Sequence, residues 1–119
     1  MIEVTISGPR GGRIRIEDEQ LIYNYVVEAC RQLKIIDADI EVLLYNKFPK
    51  DYDYAIGYCY GDKESVTIEL TKEDDDMYQT LAHEMVHCKQ FLEGRYPSEQ
   101  EAKKLEFGLH EKITERIGY

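Results

Sequence analysis

Long apolar runs are missing from this sequence, and none approaches the ~20 consecutive residues that a membrane-spanning helix needs. Residues 1–5 (MIEVT) contain neither the basic start nor the apolar stretch of a secretory signal, so no such signal is predicted. Tryptophan is absent as well. We therefore expect a cytoplasmic protein with no membrane association.

Cysteine is scarce, and its spacing suggests no pairs. Cys30, Cys59 and Cys88 are odd in number and far apart, and none belongs to a Cys-x-x-Cys pair. The simplest interpretation is that they are reduced thiols of a cytoplasmic protein, two of them in its core. A zinc site built on thiolates is not expected.

Basic residues are outnumbered, because 15 Lys and Arg stand against 24 Asp and Glu, for a formal net charge of −9. Nothing supplies the basic stripe that binding to nucleic acid phosphates requires, so no nucleic acid partner is expected. The chain has 119 residues, of which 43% are hydrophobic, and it contains no repeats or linkers. This organisation predicts a single domain over residues 1–119.

Hydrophobic periodicity predicts a chain that mixes strands and helices. Residues 2–7 and 13–17 alternate apolar and polar side chains around a glycine-rich break, which predicts an N-terminal β-hairpin. Further strands are predicted at 40–45, 54–60 and 65–70, and amphipathic helices at 18–33, 72–93 and 98–117. The expected fold class is α+β, with a small mixed or antiparallel sheet of about four or five strands, one backing helix and two later helices.

The second predicted helix, at 72–93, carries His-Glu-x-x-His, formed by His83, Glu84 and His87. Positions four apart lie on one helical face, so the two imidazoles can meet at one point and form half of a Zn²⁺ site. Glu84 lies about 60° around the helix from His87, at roughly 100° per residue, where it could act on a water held by the metal. The motif is typical of zinc hydrolases that cut peptide bonds.

The rest of this helix supports a functional interpretation of the two histidines. Its apolar stripe runs along an adjacent face, so packing explains the histidine pair poorly. Thr71 and Asp74 have the spacing of a capping box at the predicted start of the helix, and Gly94 is expected to end it.

A catalytic zinc site takes three protein ligands and leaves one position open. Only residues 94–97 separate the two last helices, so the third ligand is expected near the start of the final helix. Glu101 lies one turn in, although Ser98 and Glu101 also form a capping box that could occupy this carboxylate. Glu99, Glu106 and His110 remain alternative ligands.

The motif, followed by acidic residues on the next helix, resembles the gluzincin metallopeptidases, and the short chain resembles the single-domain minigluzincins. The segment Glu101-Ala102-Lys103-Lys104 is similar to the start of the third-ligand helix in compact zincins. The resemblance implies a zincin-like fold and a Zn²⁺ ion held by His83, His87 and Glu101. It also implies that the strand at 54–60 or at 65–70 pairs with an extended substrate.

Residues 80–87 also resemble the SprT-like metalloproteases, whose third ligand is a histidine close to a glycine. In this sequence Gly108 precedes His110 instead of following it, and the net negative charge does not suit a DNA-associated protease. The Asn-Glu-x-x-x-Asp pattern of thermolysin-type enzymes is absent downstream. No residue is therefore assigned to orient the ligands.

The expected function is hydrolysis of a peptide or protein substrate, with Glu84 as general base. Candidate donors to the oxyanion are Tyr58, Tyr60, Tyr96 and His110. Two other classes of function remain open. One is a zinc-binding domain without turnover, either latent or recognising a partner; the other is a metal-free interaction protein that keeps the helix for packing.

Overall fold

The structure is a computed structural model and describes residues 1–52 and 55–118. It is α+β, with a four-stranded mixed sheet and three long helices. In chain order these are β1 (Ile2–Ser7), α1 (Ile16–Leu33), β2 (Ala38–Tyr45), β3 (Gly57–Gly61), β4 (Ser65–Thr71), α2 (Met77–Leu92) and α3 (Glu99–Ile117). Short 3₁₀ turns occupy Pro9–Gly11 and Lys50–Tyr52.

The strand order in the sheet is β1-β2-β4-β3. β1, β2 and β4 are parallel, and β3 is antiparallel to β4. The predicted strand at 54–60 is present as β3, although its expected first residue, Tyr54, lies outside the described residues. Because β3 ends the order, it forms one edge of the sheet built by the described strands.

The predicted N-terminal hairpin is wrong. β1 pairs in parallel with β2, and α1 is the crossover between them. The glycine-rich break closes on itself, since the Gly8 N–H donates to the Gly12 carbonyl at 2.7 Å and Arg10 and Gly11 take positive φ. The alternation at 13–17 is cut short because α1 begins at Ile16, where the acidic residues of its first turn favour a helix N-terminus.

α1 and α2 pack on one face of the sheet, α3 packs on both of these helices, and alternate strand residues point into the core. From β2 these are Ile40, Val42 and Leu44, and from β4 they are Val66, Ile68 and Leu70, as the period-two pattern predicts. The cysteines behave as expected, because Cys30 and Cys88 are buried in this core. No helix in residues 1–52 and 55–118 is long and apolar enough to cross a bilayer.

α2 begins at Met77, five residues later than predicted. The acidic run before it forms turns: the Thr71 hydroxyl accepts the Glu73 N–H at 3.2 Å, and the Asp74 carboxylate accepts the Thr80 hydroxyl at 2.5 Å. These local bonds compete with helix formation, as short polar side chains commonly do. The predicted end is confirmed, since Gly94 follows Leu92 closely with φ of 71°.

α3 begins as predicted. The hydroxyl of Ser98 accepts the Glu101 N–H at 3.2 Å, so Ser98 is the N-cap. Because α2 and α3 are joined by a short turn and pack together, the first turn of α3 lies along α2 from His83 to Gln90. This contact brings α3 to the two histidines.

Candidate metal centre

His83 and His87 lie one turn apart on α2, with ring centroids 5.0 Å apart and ring planes at 78°. The Glu99 carboxylate, in the first turn of α3, reaches both imidazoles. Its Oε1 lies 2.5 Å from His83 Nε2, and its Oε2 lies 3.2 Å from His87 Nε2. Within residues 1–52 and 55–118, these three residues form the single group of His, Cys, Asp and Glu side chains whose ligand atoms all lie within 4.8 Å. The cluster could hold a metal ion.

The turn between α2 and α3 explains why Glu99 reaches this point. After α2 ends, the Gly94 N–H donates to the Phe91 carbonyl and the Arg95 N–H donates to the Gln90 carbonyl, both at 2.9 Å. These bonds reverse the chain within a few residues. The first residue of α3 therefore faces the histidine-bearing side of α2, as the short predicted connection required.

Glu101, the predicted third ligand, is not brought to the imidazoles. Its carboxylate accepts hydrogen bonds from Arg95 Nη2 and from Gln90 Nε2, each at 2.8 Å, and these donors lower the pKa of Glu101. Residues two apart on a helix point about 200° apart, so Glu99 and Glu101 cannot both face the histidines. The local pairing with Arg95, which the sequence analysis did not consider, holds Glu101 on the far side.

Of the other two alternative ligands, Glu106 lies near the histidines and His110 does not. Glu106 lies on the face of α3 that carries Glu99, and its Oε2 is 3.6 Å from His83 Nδ1, the ring nitrogen that faces away from Glu99. His110 instead forms a 2.7 Å hydrogen bond through Nδ1 with the Tyr25 hydroxyl. The structure therefore places Glu106 beside the cluster and His110 at the contact between α3 and α1.

Glu84 is buried where α2 passes β3, and only 7% of it is exposed. Burial raises the pKa of its carboxyl to about 7; Glu99 and Glu106 add to the increase, while His87 opposes it. Gly57 on β3 allows this proximity, since a Cβ there would lie 2.7 Å from Thr80 Cγ2 and 3.1 Å from Glu84 Oε2. A carboxyl with this pKa is suited to take up and return a proton near neutral pH.

A cleft of about 340 Å³ opens over Glu84, His83 and Glu99. It is lined also by Ile56, Gly57, Thr80, Lys103 and Glu106. Larger hollows occur elsewhere, but their walls contain neither histidine of the motif. The cleft therefore joins the exposed part of the cluster to the edge strand β3.

None of the four predicted oxyanion donors lines this cleft. Tyr58 and Tyr60 alternate with Cys59, so they point to the face of β3 away from α2. The Tyr58 hydroxyl donates to the Tyr52 carbonyl, and the Tyr60 hydroxyl donates to Glu69. Tyr96 is 94% exposed in the turn between the helices.

Gln90 is a residue of the centre that the sequence analysis missed. It is fully buried, and its Oε1 lies 2.8 Å from His87 Nδ1. The available signal was its position three residues after His87, which places both side chains on the same face of the helix. Gln90 and Glu106 thus contact the ring nitrogens that face away from Glu99, one for each histidine.

Searches against models of known protein families, against characterised proteins and against solved structures find no match. The sequence resemblance to gluzincins consequently rests on the motif itself.

Proposed function

We propose that this protein is a zinc-dependent peptidase with a zincin-like fold of the gluzincin type, and that His83, His87 and Glu99 hold the Zn²⁺. The observation that carries the proposal is the convergence of Glu99 on both Nε2 atoms, beside a buried general base. Glu99 replaces Glu101 as the third ligand because Glu101 is held by Arg95 and Gln90.

The donor set fits the ion. Two imidazole nitrogens and one carboxylate are a ligand set that catalytic zinc sites use, with a further position left for water. Metal-ligating histidines almost always donate their other N–H to a carboxylate, carbonyl or water. Here the other nitrogen of His83 faces Glu106 and that of His87 faces Gln90, which is the arrangement expected if the Nε2 atoms face the metal.

Glu84 has the position and the surroundings of a general base. When bound, Zn²⁺ supplies Lewis acidity that activates a water for attack on a peptide carbonyl. The Glu84 carboxylate accepts the proton of that water and returns it to the leaving amine. In the metal-free protein, burial raises the pKa of this carboxyl to about 7, which suits it to exchange protons near neutral pH.

A peptide in extended conformation suits the cleft. β3 is an edge strand of the described sheet, and its unpaired side can add one more strand by backbone hydrogen bonding. Gly57 keeps β3 close to Glu84, so a strand paired there would pass beside the reacting groups. The substrate class is therefore a peptide or an unfolded segment of a protein.

One observation favours the alternative of a zinc-binding domain without turnover. The cleft is lined by none of the predicted oxyanion donors, so the stabilisation that such a group contributes has no assigned source. Lys103, which lines the cleft, is the cationic side chain at hand for this role.

Glu84→Gln separates the two functions. The protein is purified without a histidine tag, its metal content is measured, and cleavage of a diverse peptide library is followed by mass spectrometry. We expect near-stoichiometric zinc in both proteins, peptide cleavage by the unsubstituted protein, and a loss of cleavage rate of roughly 10²–10⁴-fold in Glu84→Gln. Glu69→Gln, which removes an equally buried carboxyl outside the cleft, is the matched control.

Each unfavourable outcome has its own meaning. Absence of zinc from the unsubstituted protein would remove the metal centre and the peptidase together. Zinc without cleavage would support the domain without turnover. Cleavage that persists in Glu84→Gln would show that another group is the base.

A further inference from the structure

The side-chain amide of Gln90 is enclosed at the contact between α2 and α3, and both its oxygen and its nitrogen form hydrogen bonds there. Its Oε1 lies 2.8 Å from His87 Nδ1 and accepts the Ser98 N–H at 2.9 Å. Its Nε2 donates to the Ser98 carbonyl at 3.1 Å and to Glu101 Oε1 at 2.8 Å. Four polar contacts satisfy a fully buried amide whose desolvation would otherwise be costly.

Three of these contacts determine which way the amide points. The Ser98 N–H is only a donor, so it requires the oxygen of Gln90. The Ser98 carbonyl and the Glu101 carboxylate are acceptors, so they require the NH₂ group. The atom that faces His87 is consequently the oxygen.

An oxygen acceptor at 2.8 Å determines where His87 carries a proton. Nδ1 must carry a proton, because Gln90 Oε1 has no hydrogen to give. Nε2 then faces Glu99, on the side where a metal would be held. The amide therefore sets both the orientation of the ring and the nitrogen that is presented to the cluster.

The same amide also holds the chain that carries Glu99. It binds both backbone groups of Ser98, and Ser98 immediately precedes Glu99. Rotation or withdrawal of this turn would break two hydrogen bonds inside the protein interior. The distance between His87 and Glu99 is thus constrained from both sides by one residue.

We propose that Gln90 is the positioning residue of the metal centre: its buried amide holds His87 by Nδ1 and the Ser98–Glu99 turn by its backbone, and so presets two of the three ligands. The part of this proposal that concerns zinc rests on the proposed function. The part that concerns the protonation of Nδ1 holds for the metal-free protein as well.

The test is Gln90→Met, which keeps the length of the side chain and removes the acceptor and the donor. In metal-free protein at neutral pH, proton–nitrogen correlation NMR should show Nδ1 of His87 protonated in the unsubstituted chain. In the variant we expect Nδ1 to lose its proton, because only Nε2 still faces an acceptor, the Glu99 carboxylate. The dissociation constant for zinc, measured by competition with a chelator, should rise by about 10- to 100-fold, as for other partners of ligating histidines.

Two further variants make the test specific. Gln90→Glu keeps an oxygen opposite Nδ1 and loses the donor to Ser98 and Glu101, so Nδ1 should stay protonated and the loss of zinc affinity should be smaller than in Gln90→Met. Arg95→Met removes the other partner of Glu101 in the same turn, and it should change neither Nδ1 nor the dissociation constant by more than about twofold.

The outcomes are distinguishable. The proposal would be overturned if Gln90→Met loses thermal stability but keeps Nδ1 protonated and has an unchanged dissociation constant for zinc. Gln90 would then serve packing alone. If Gln90→Met does not fold, deprotonation of Nδ1 in Gln90→Glu would overturn it. Failure of the proposed function appears separately, as absence of zinc from the unsubstituted protein.

Discussion

Glu69 and Glu84 are buried to nearly the same extent, 6% and 7% exposed, yet their surroundings are opposite. Glu69 lies on the outer face of the sheet and accepts hydrogen bonds from the hydroxyls of Tyr52 at 2.7 Å and Tyr60 at 2.5 Å. None of the hydrogen bonds in the described part of the chain reaches the Glu84 carboxyl, which faces a cleft and two other carboxylates. A buried acid supplied with donors is part of the architecture, whereas one without them is available for proton transfer.

The tyrosines around Glu69 are suited to remain hydrogen-bond donors to its carboxylate. Tyr52 has its pKa raised by its hydrogen bond with Tyr45 and then by Glu69, and Tyr60 has its pKa raised by burial and then by Glu69. Both stay neutral donors at any physiological pH. The ring of Tyr52 also contacts those of Tyr45 and Phe48, and the three form an aromatic cluster beside Glu69.

The same contrast separates Glu99 and Glu101 on α3, and substitutions at these two positions should give the largest difference in metal binding. Glu99→Gln should raise the dissociation constant for zinc by roughly 100-fold or more, because loss of a ligand should exceed loss of a ligand's partner. Glu101→Gln should change it far less, since its carboxylate binds Arg95 and Gln90. Chelator competition on both variants measures the difference, and equal losses would contradict the assignment of Glu99.

The raised pKa of Glu84 predicts that the stability of the fold depends on pH. The folded state favours the protonated carboxyl of Glu84. The contribution of this carboxyl to the free energy of unfolding is therefore fully present below about pH 4.5 and is lost as the pH rises towards about 7. The difference between 4.5 and about 7 corresponds to about 3 kcal/mol. In metal-free protein, Glu84→Gln should therefore be more stable than the unsubstituted chain by up to this amount at about pH 8, and equal to it at about pH 4.5.

Urea unfolding with excess chelator at both pH values tests this expectation. His87, Glu99 and Glu106, which also act on Glu84, are present in both proteins and so do not distinguish them. Equal stability of the two proteins at the higher pH would show that Glu84 ionises in the fold without cost.

Glu69→Gln should have the smallest and opposite effect. The amide keeps one oxygen for one tyrosine hydroxyl but turns a donor towards the other, so the free energy of unfolding should fall by about 1–2 kcal/mol. Zinc affinity should not change, because Glu69 lies on the face of the sheet away from α2. Thermal unfolding and chelator competition together check both statements; a loss of zinc affinity would mean that the two buried acids are coupled.

Local patterns predicted the helical motif and the main strands because these depend on periodicity and on end signals. The period-two strands β2 and β4, the stop at Gly94 and the cap at Ser98 were all readable in this way. The N-terminal hairpin failed because alternation shows which residues share a face but not which strand lies beside them. In the fold, β1 pairs in parallel with β2, and α1 connects the two strands.

The sequence by itself determined which reactive side chains are available: two histidines and a glutamate on one turn of α2, and acidic candidates for a third ligand near the start of the next helix. Tertiary structure decided the rest. The choice of Glu99 over Glu101 depends on the direction in which α3 leaves the turn, and the role of Gln90 depends on a contact between two helices. Such contacts join residues that no periodic pattern connects, because packing in three dimensions sets which side chains share a buried space.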